Sequence, residues 1–423
     1  MSLGLGAARG APAPEQGREA ARGAGAPASG AAGAGRGAPA TNNEIRALWV
    51  QRGTLTSAAA VTALIDQAKT AGFNTLLVQV RGRGDAYYNS RLEPRGPALA
   101  RQDPSFDPLE LAIAAGHRAG LRMHAWVNVN LIADADLPSA RNHIVHTHPE
   151  WLMVPRELAD QAVRLDPHRQ EYVAMLSRYA RDNSERIEGL YLSAIQPAAA
   201  DYTVSVIADI ASRYAVDGIH IDYARFPSDD FDYSPGALAQ FRAEVVPHLT
   251  AAERREYDGR AANGGRPAFY TQMFPQRWQD FRRARMTKLV TRLRAAVKRA
   301  RPEAVFSAAV WPDPNEASTH RFQDWRLWVR DGLLDVICPM AYTTDAAVFR
   351  AQIAGVKAVA GSRPVWAGIG AYHLSVADTV ANIQTARRLG TAGISLFSYD
   401  NLTPEVNPNP LYLQQVAQGA FER

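Results

Sequence analysis

The segment Asp217-Gly218-Ile219-His220-Ile221-Asp222-Tyr223-Ala224-Arg225-Phe226-Pro227 is an apolar run that delivers a carboxylate, an arginine and aromatic rings into one loop. A carboxylic acid at the end of a buried strand has its ionisation opposed by desolvation, which is what a general acid needs. In a parallel barrel, the carboxyl ends of the strands build the active site. Each residue also has a plainer reading. Asp217 starts the strand, so it caps the preceding turn or pairs at the bottom of the barrel. His220 alternates with Ile219 and Ile221 and reads as a satisfied structural histidine facing the barrel interior or the helices. Asp222 closes an otherwise apolar strand, where an unpaired acid is costly. It is therefore either functional or salt-bridged, with Arg81 and Arg225 as the available partners.

The elements around this segment follow an alternating pattern. Apolar runs at 46–50, 74–80, 122–129, 218–222, 304–310, 334–341, 364–369 and 393–398 read as strands. Between them lie helical segments at 57–71, 107–119, 170–184, 205–214, 278–300, 346–360 and 375–389. The runs are nearly continuous rather than alternating, as strands buried on both faces are. Eight such strands separated by helices predict the α/β class and a (β/α)8 TIM barrel. The rival is an open doubly wound sheet. No Gly-x-Gly-x-x-Gly turn follows the first strand, and Arg81-Gly82-Arg83-Gly84-Asp85 after the second lacks that spacing. Gly189-Leu190-Tyr191-Leu192 has no assigned place. The barrel is expected to fill residues 44–423, with a polar excursion at 228–265. Residues 1–43, almost wholly Gly, Ala, Pro and Arg, read as a disordered tail in which no signal peptide is visible.

If the barrel forms, the residues just past its strands share one chemistry. Trp126, Asn128, Asn130, Tyr223, Arg225, Trp311, Met340, Tyr342 and Tyr399, with Arg81, put aromatic faces, amides and guanidinium groups at one mouth. That mixture suits a sugar polymer, because rings stack on pyranose faces and polar groups bond to hydroxyls. Asp345 and Asp85 are the first candidates for a second carboxylate beside Asp222, followed by Asp313 and Asp400; aspartate is also common in turns for local reasons.

Composition narrows the partners. The net charge is +5, from 47 basic and 42 acidic residues, and the densest basic segment, 282–301, has helical spacing. It reads as a solvated helix face, so no nucleic-acid partner is expected. No apolar stretch reaches the length of a membrane span. The single cysteine, Cys338, excludes an internal disulfide and a cysteine-built zinc site. His143, His146, His148 and His168 lack metal-ligand spacings, so neither metal nor cofactor is expected.

Taken together, Glu44-Ile45-Arg46-Ala47-Leu48-Trp49-Val50, Gln79-Val80-Arg81-Gly82, Gly84-Asp85-Ala86-Tyr87-Tyr88, His124-Ala125-Trp126-Val127-Asn128, the 217–222 strand, Gln323-Asp324-Trp325 and Asp335 to Tyr342 resemble the bacterial glycosyl hydrolase-like 10 family. The resemblance spans about residues 44–402 and implies a barrel enzyme of the periplasm or cell envelope, acting on glycan strands with peptidoglycan a leading candidate. Many members carry two adjacent aspartates where this chain has Asp222-Tyr223, an Asp-Tyr-x-Arg variant. A fainter similarity to family 18 chitinases places their catalytic glutamate on Ala224, so their mechanism does not carry over. The expected reaction is hydrolysis of an O-glycosidic bond with Asp222 as acid and a second carboxylate as base or nucleophile. Two rivals stand beside it. A carbohydrate-binding barrel without catalysis would lack a second acid within reach of Asp222, and a deacetylase using the histidines would hold zinc.

Overall fold

The computed structural model describes residues 43–421, apart from residue 265; the tail read as disordered lies outside them except for residue 43. Eight parallel strands close into a ring: β1 (Ile45–Val50), β2 (Thr75–Arg81), β3 (Arg122–Asn128), β6 (Gly218–Asp222), β7 (Val305–Val310), β8 (Val336–Ala341), β9 (Trp366–Ile369) and β10 (Gly393–Leu396). The ring closes where β1 pairs with β10, Leu48 lying opposite Leu396. The chain is therefore a (β/α)8 barrel and not an open sheet. Between β3 and β6, β4 (Leu131–Ala133) and β5 (Leu190–Tyr191) pair antiparallel as a separate ribbon, and β5 is the previously unplaced 189–192 piece.

Local signals explain the helix boundaries. Ser57 caps Ala58–Thr70 by accepting the Ala60 amide at 3.2 Å, and Gly72, at φ +72°, ends it. The helix expected at 205–214 begins at Pro197, and that expected at 278–300 begins at Pro275; in both, proline occupies the first turn, where its missing N–H is no loss. The 228–265 excursion contains helices Pro235–Val245 and Ala251–Ala262. The second is opened by a Thr250/Glu253 capping box and buries only Tyr257, which is why its sequence looks polar throughout.

Two apolar layers result. One packs the strands against the helices; the other fills the barrel with Ile45, Ala47, Trp49, Leu77, Trp126, Val336, Cys338 and Trp366. The residues that share this interior recur at every second position along each strand. Asp217 stays at the bottom, accepting the Met123 amide at 2.7 Å and His117 Nε2 at 2.8 Å. His220 is inside: the Trp49 indole donates to its Nε2 at 3.1 Å, which leaves the proton on Nδ1 to face Ser307 Oγ at 3.0 Å. Burial pushes His220 down to about 3 and, as the first cause, His124 down to about 4. Both are neutral in the fold, whereas the unfolded chain protonates them from about pH 6.5. Stability is therefore present above that pH and lost as pH falls. Each imidazole contributes a slope of about 1.4 kcal/mol per pH unit. The slope ends near 4 for His124 and near 3 for His220. Urea unfolding at several pH values should show a shallower acid limb for His220→Gln than for the parent, at a loss of about 1–3 kcal/mol near neutrality from the disturbed Trp49 and Ser307 bonds.

Candidate active site

Asp222 ends β6 on the interior side of the mouth and is 6% exposed. Its Oδ1 accepts the Tyr223 amide at 2.6 Å and Arg225 Nη1 at 3.0 Å. Tyr223 itself sits at φ +50°, in the left-handed region, where the chain turns out of the strand. Such a backbone costs on the order of 1–3 kcal/mol for a non-glycine residue and persists where surrounding contacts over-determine it. Here they do: the Arg225 guanidinium lies 4.0 Å from the centre of the Tyr223 ring. Burial is the main influence on the Asp222 carboxyl and raises its pKa; Arg225 and the Tyr223 amide oppose the rise, and the charge of Glu188 adds to it.

Glu188 was not singled out in the sequence. It stands just before β5, half-buried, with its Oε2 accepting the Tyr191 hydroxyl and its Oε1 3.5 Å from the Tyr223 hydroxyl. Burial first, and the Glu188 charge second, raise both phenols, so they face Glu188 as neutral donors. Gly189 sets this placement. Its φ is +151°, and a Cβ there would sit 2.0 Å from the Ala133 carbonyl oxygen of β4. Only glycine lets β5 close on β4 and carry Glu188 to Tyr223. Asn130 ties the two halves together, its amide meeting the Tyr223 carbonyl at 3.2 Å and its Nδ2 the Leu192 carbonyl at 2.7 Å. Asp222 and Glu188 thus lie against opposite ends of one tyrosine.

Aromatic rings form the floor. Tyr342 stacks on Phe397 at 5.3 Å, and Trp49, Trp126 and Tyr372 meet Phe397 edge-on at 6.0, 6.3 and 6.1 Å. Phe397 was missed, although it continues the inward 393, 395, 397 parity of β10. Asn128 is paired with Asp222 in the ladder. The indole Nε1 of Trp126 and the Oδ1 of Asn128 are buried without a partner, a donor and an acceptor two residues apart on one strand. Met340 and Trp311 are half-buried at the ends of β8 and β7.

Other expected residues lie elsewhere. Arg81 is neither a ligand for Asp222 nor open to an acidic substituent: its side chain is 0% exposed and forms an ion pair with Glu93 at 2.8 Å. Its Nη1 props the Asn128 and Val129 carbonyls. A buried pair broken from one side leaves an uncompensated charge, so Arg81→Met should lower the unfolding free energy by about 3–5 kcal/mol in denaturant titration. Tyr399 turns away from the mouth, its hydroxyl donating to Gln67 Oε1 at 3.1 Å in the helix layer. The chain leaves strand geometry there and enters the short helix Tyr399–Leu402, which breaks the parity.

The remaining acids serve the backbone. Asp345 and Asp313 are exposed and cap helices Ala346–Ala360 and Pro314–His320 through their Oδ1 atoms. Asp400 accepts the Gln51 amide and the Thr54 hydroxyl, each at 2.6 Å. Asp85 accepts the Arg83 amide at 2.9 Å and borders a cavity of about 280 Å³ shared with Arg52, Tyr87 and His143. The histidines are engaged separately: His143 meets the Arg83 carbonyl at 2.7 Å, His146 the Pro138 carbonyl at 2.6 Å, and His148 stacks on Trp151 at 3.8 Å. Among the described residues, no group of three or more His, Cys, Asp or Glu side chains gathers as metal ligands do.

The closed ring with carboxylates, amides and aromatic rings at its carboxyl-end mouth has the architecture on which glycoside hydrolases are built. The chain belongs to the glycosyl hydrolase-like 10 family, whose profile matches residues 44–365 and so ends before β9 and β10. It is similar to glycosyl hydrolase DigH of Escherichia coli K12, at 24% identity over 297 residues, covering 66% of this chain and 56% of that protein. It is also similar to glycosyl hydrolase YngK of Bacillus subtilis, at 24% over 300 residues, 66% of this chain and 48% of that one. The chain thus spans about half the length of these relatives. Among solved structures, the glycoside hydrolase domain of PgaB (BpsB) from Bordetella bronchiseptica superposes with a TM-score of 0.61 at 16% identity, covering 90% of this chain and 100% of that domain. That likeness is one of fold.

Proposed function

We propose that this chain is a glycoside hydrolase cleaving O-glycosidic bonds in a bacterial polysaccharide, with the glycan strands of peptidoglycan as leading candidate, and that it works in the periplasm or cell envelope. The observation that carries the reading is the pair Asp222 and Glu188 on one tyrosine, the first with its pKa raised by burial. Asp222, protonated, gives its proton to the leaving glycosidic oxygen. Glu188, the more exposed of the two, then takes the proton of an attacking water or attacks the anomeric carbon itself. Arg225 holds Asp222 in place without abolishing its rise, and the Tyr191 and Tyr223 hydroxyls orient Glu188. Tyr342, Tyr372 and Phe397, half-buried at the mouth, offer faces to sugar rings, while Trp126 and Asn128, expected from the sequence to meet the sugar, are buried beneath them and support that floor. A purely carbohydrate-binding barrel has no need of a second acid near Asp222, and Glu188 favours catalysis over it.

The test is incubation of the purified protein with a panel of defined glycans, with products read by mass spectrometry. New reducing ends are expected from at least one bacterial glycan. Tight glycan binding with no new ends on any of them would leave the binding barrel as the better reading.

A further inference from the structure

On the β7 side of the mouth stands an arginine that the reaction does not use. Arg321 follows helix Pro314–His320, and its carbonyl accepts the Phe226 amide at 2.9 Å, so it is fastened to the loop that carries Arg225. Its guanidinium lies 4.8 Å from the centre of the half-buried Trp311 ring. One of its donors, Nη1, reaches the Pro227 carbonyl; another, Nε, is buried with no partner. Arg225, its neighbour in charge, holds the Asp222 carboxylate at 3.0 Å. Arg321 holds only a backbone oxygen. Burial is the first influence lowering its pKa and the Arg225 charge the second, while Glu188, Tyr191 and Glu316 act the other way from farther than ion-pair distance. With Nη1 engaged and Nε closed off, the donor left for an incoming anion is Nη2, which has no hydrogen-bond partner among the described residues. A guanidinium beside an indole is weakly hydrated enough to bind an anion in a partly dry site.

We propose that Arg321, stacked on Trp311, binds a carboxylate substituent of the glycan, so that the preferred substrate carries an acidic sugar, either a uronate or a lactyl ether. The proposal rests on the glycosidase reading and names the class of glycan within it. The contact is made away from Asp222 and Glu188 and is present in bound substrate and transition state alike. It therefore acts on KM and leaves kcat nearly unchanged.

The experiment compares one oligosaccharide before and after its carboxyl groups are reduced to primary alcohols, in separate uronate and lactyl-ether arms, with wild type, Arg321→Gln and Arg321→Lys. For wild type, reduction should raise KM on the order of 10- to 100-fold, the range of a charge-assisted hydrogen bond. Arg321→Gln should show the raised KM on both forms, and Arg321→Lys an intermediate preference. The arm in which wild type discriminates identifies the sugar. Equal KM for both forms in both arms overturns the proposal while leaving the glycosidase reading intact. If wild type cleaves neither form, calorimetric titration of both replaces turnover, and equal affinities overturn it there. The substrate-side comparison needs no variant to fold.

Discussion

Asp222→Asn should lower kcat on a cleavable glycan by about 100- to 10,000-fold, the usual contribution of a positioned general acid. The asparagine keeps the size of the side chain and an Oδ1 able to accept from the Tyr223 amide and Arg225. The fold should therefore survive, and circular dichroism with thermal melting serves as the control. What is lost is the transferable proton. The pH profile gives a second readout. Because burial raises the Asp222 pKa, the acid form persists above the ordinary carboxylate range, and the alkaline limb of the wild-type profile belongs to this group. Arg225 opposes that rise, so in Arg225→Met the alkaline limb should move to higher pH on whatever activity remains. Asp222→Asn turning over at the wild-type rate removes Asp222 from the mechanism.

The parts of this arrangement differ in how visible they are along the chain. The eight barrel strands are legible because both faces of each are buried, leaving apolar runs with no competing pattern. Position along the strand puts Asp217 at its start and Asp222 at its end, but parity alone leaves His220 between the barrel interior and the helices until its Trp49 and Ser307 partners are seen. Glu188 is not legible. The strand beside it has only the residues Leu190–Tyr191, too short for any period, and its partner β4 lies 60 positions earlier at the Leu131–Tyr191 pairing, a separation no local pattern reports. Glu93 is hidden for a similar reason: it sits in an irregular segment, so the Arg81 at the end of β2 looks free to reach Asp222 when a closer carboxylate already holds it. Phe397 and Tyr399 show the limit of parity itself. It predicts the first, and fails for the second where β10 gives way to a helical turn.

Glu188→Gln should reduce turnover by a factor similar to that for Asp222→Asn, about 100- to 10,000-fold, since each member of a carboxylate pair has a step the other cannot perform. The variant also separates chemistry from placement. Glutamine keeps one oxygen to accept from one of the Tyr191 and Tyr223 hydroxyls and can donate its amide N–H to the oxygen of the other, so β5 and the Tyr223 turn should stay in position. Removing the Glu188 charge takes away one of the two influences that hold the Asp222 pKa up, and the alkaline limb of the residual activity should move to lower pH, opposite in sign to Arg225→Met. Azide then decides the role. In Glu188→Ala a small anion can occupy the space of the lost carboxylate. Recovery of turnover with a glycosyl azide of inverted configuration places Glu188 on the attacking face, and a wild-type product of retained configuration then makes it the nucleophile of a retaining enzyme, with carboxyls roughly 5–5.5 Å apart. Wild-type product of inverted configuration makes it the base of an inverting enzyme, with a gap of about 6.5–9.5 Å for the attacking water. Undiminished turnover by Glu188→Gln, with the alkaline limb where wild type has it, excludes Glu188 from both roles and returns the second acid to the search.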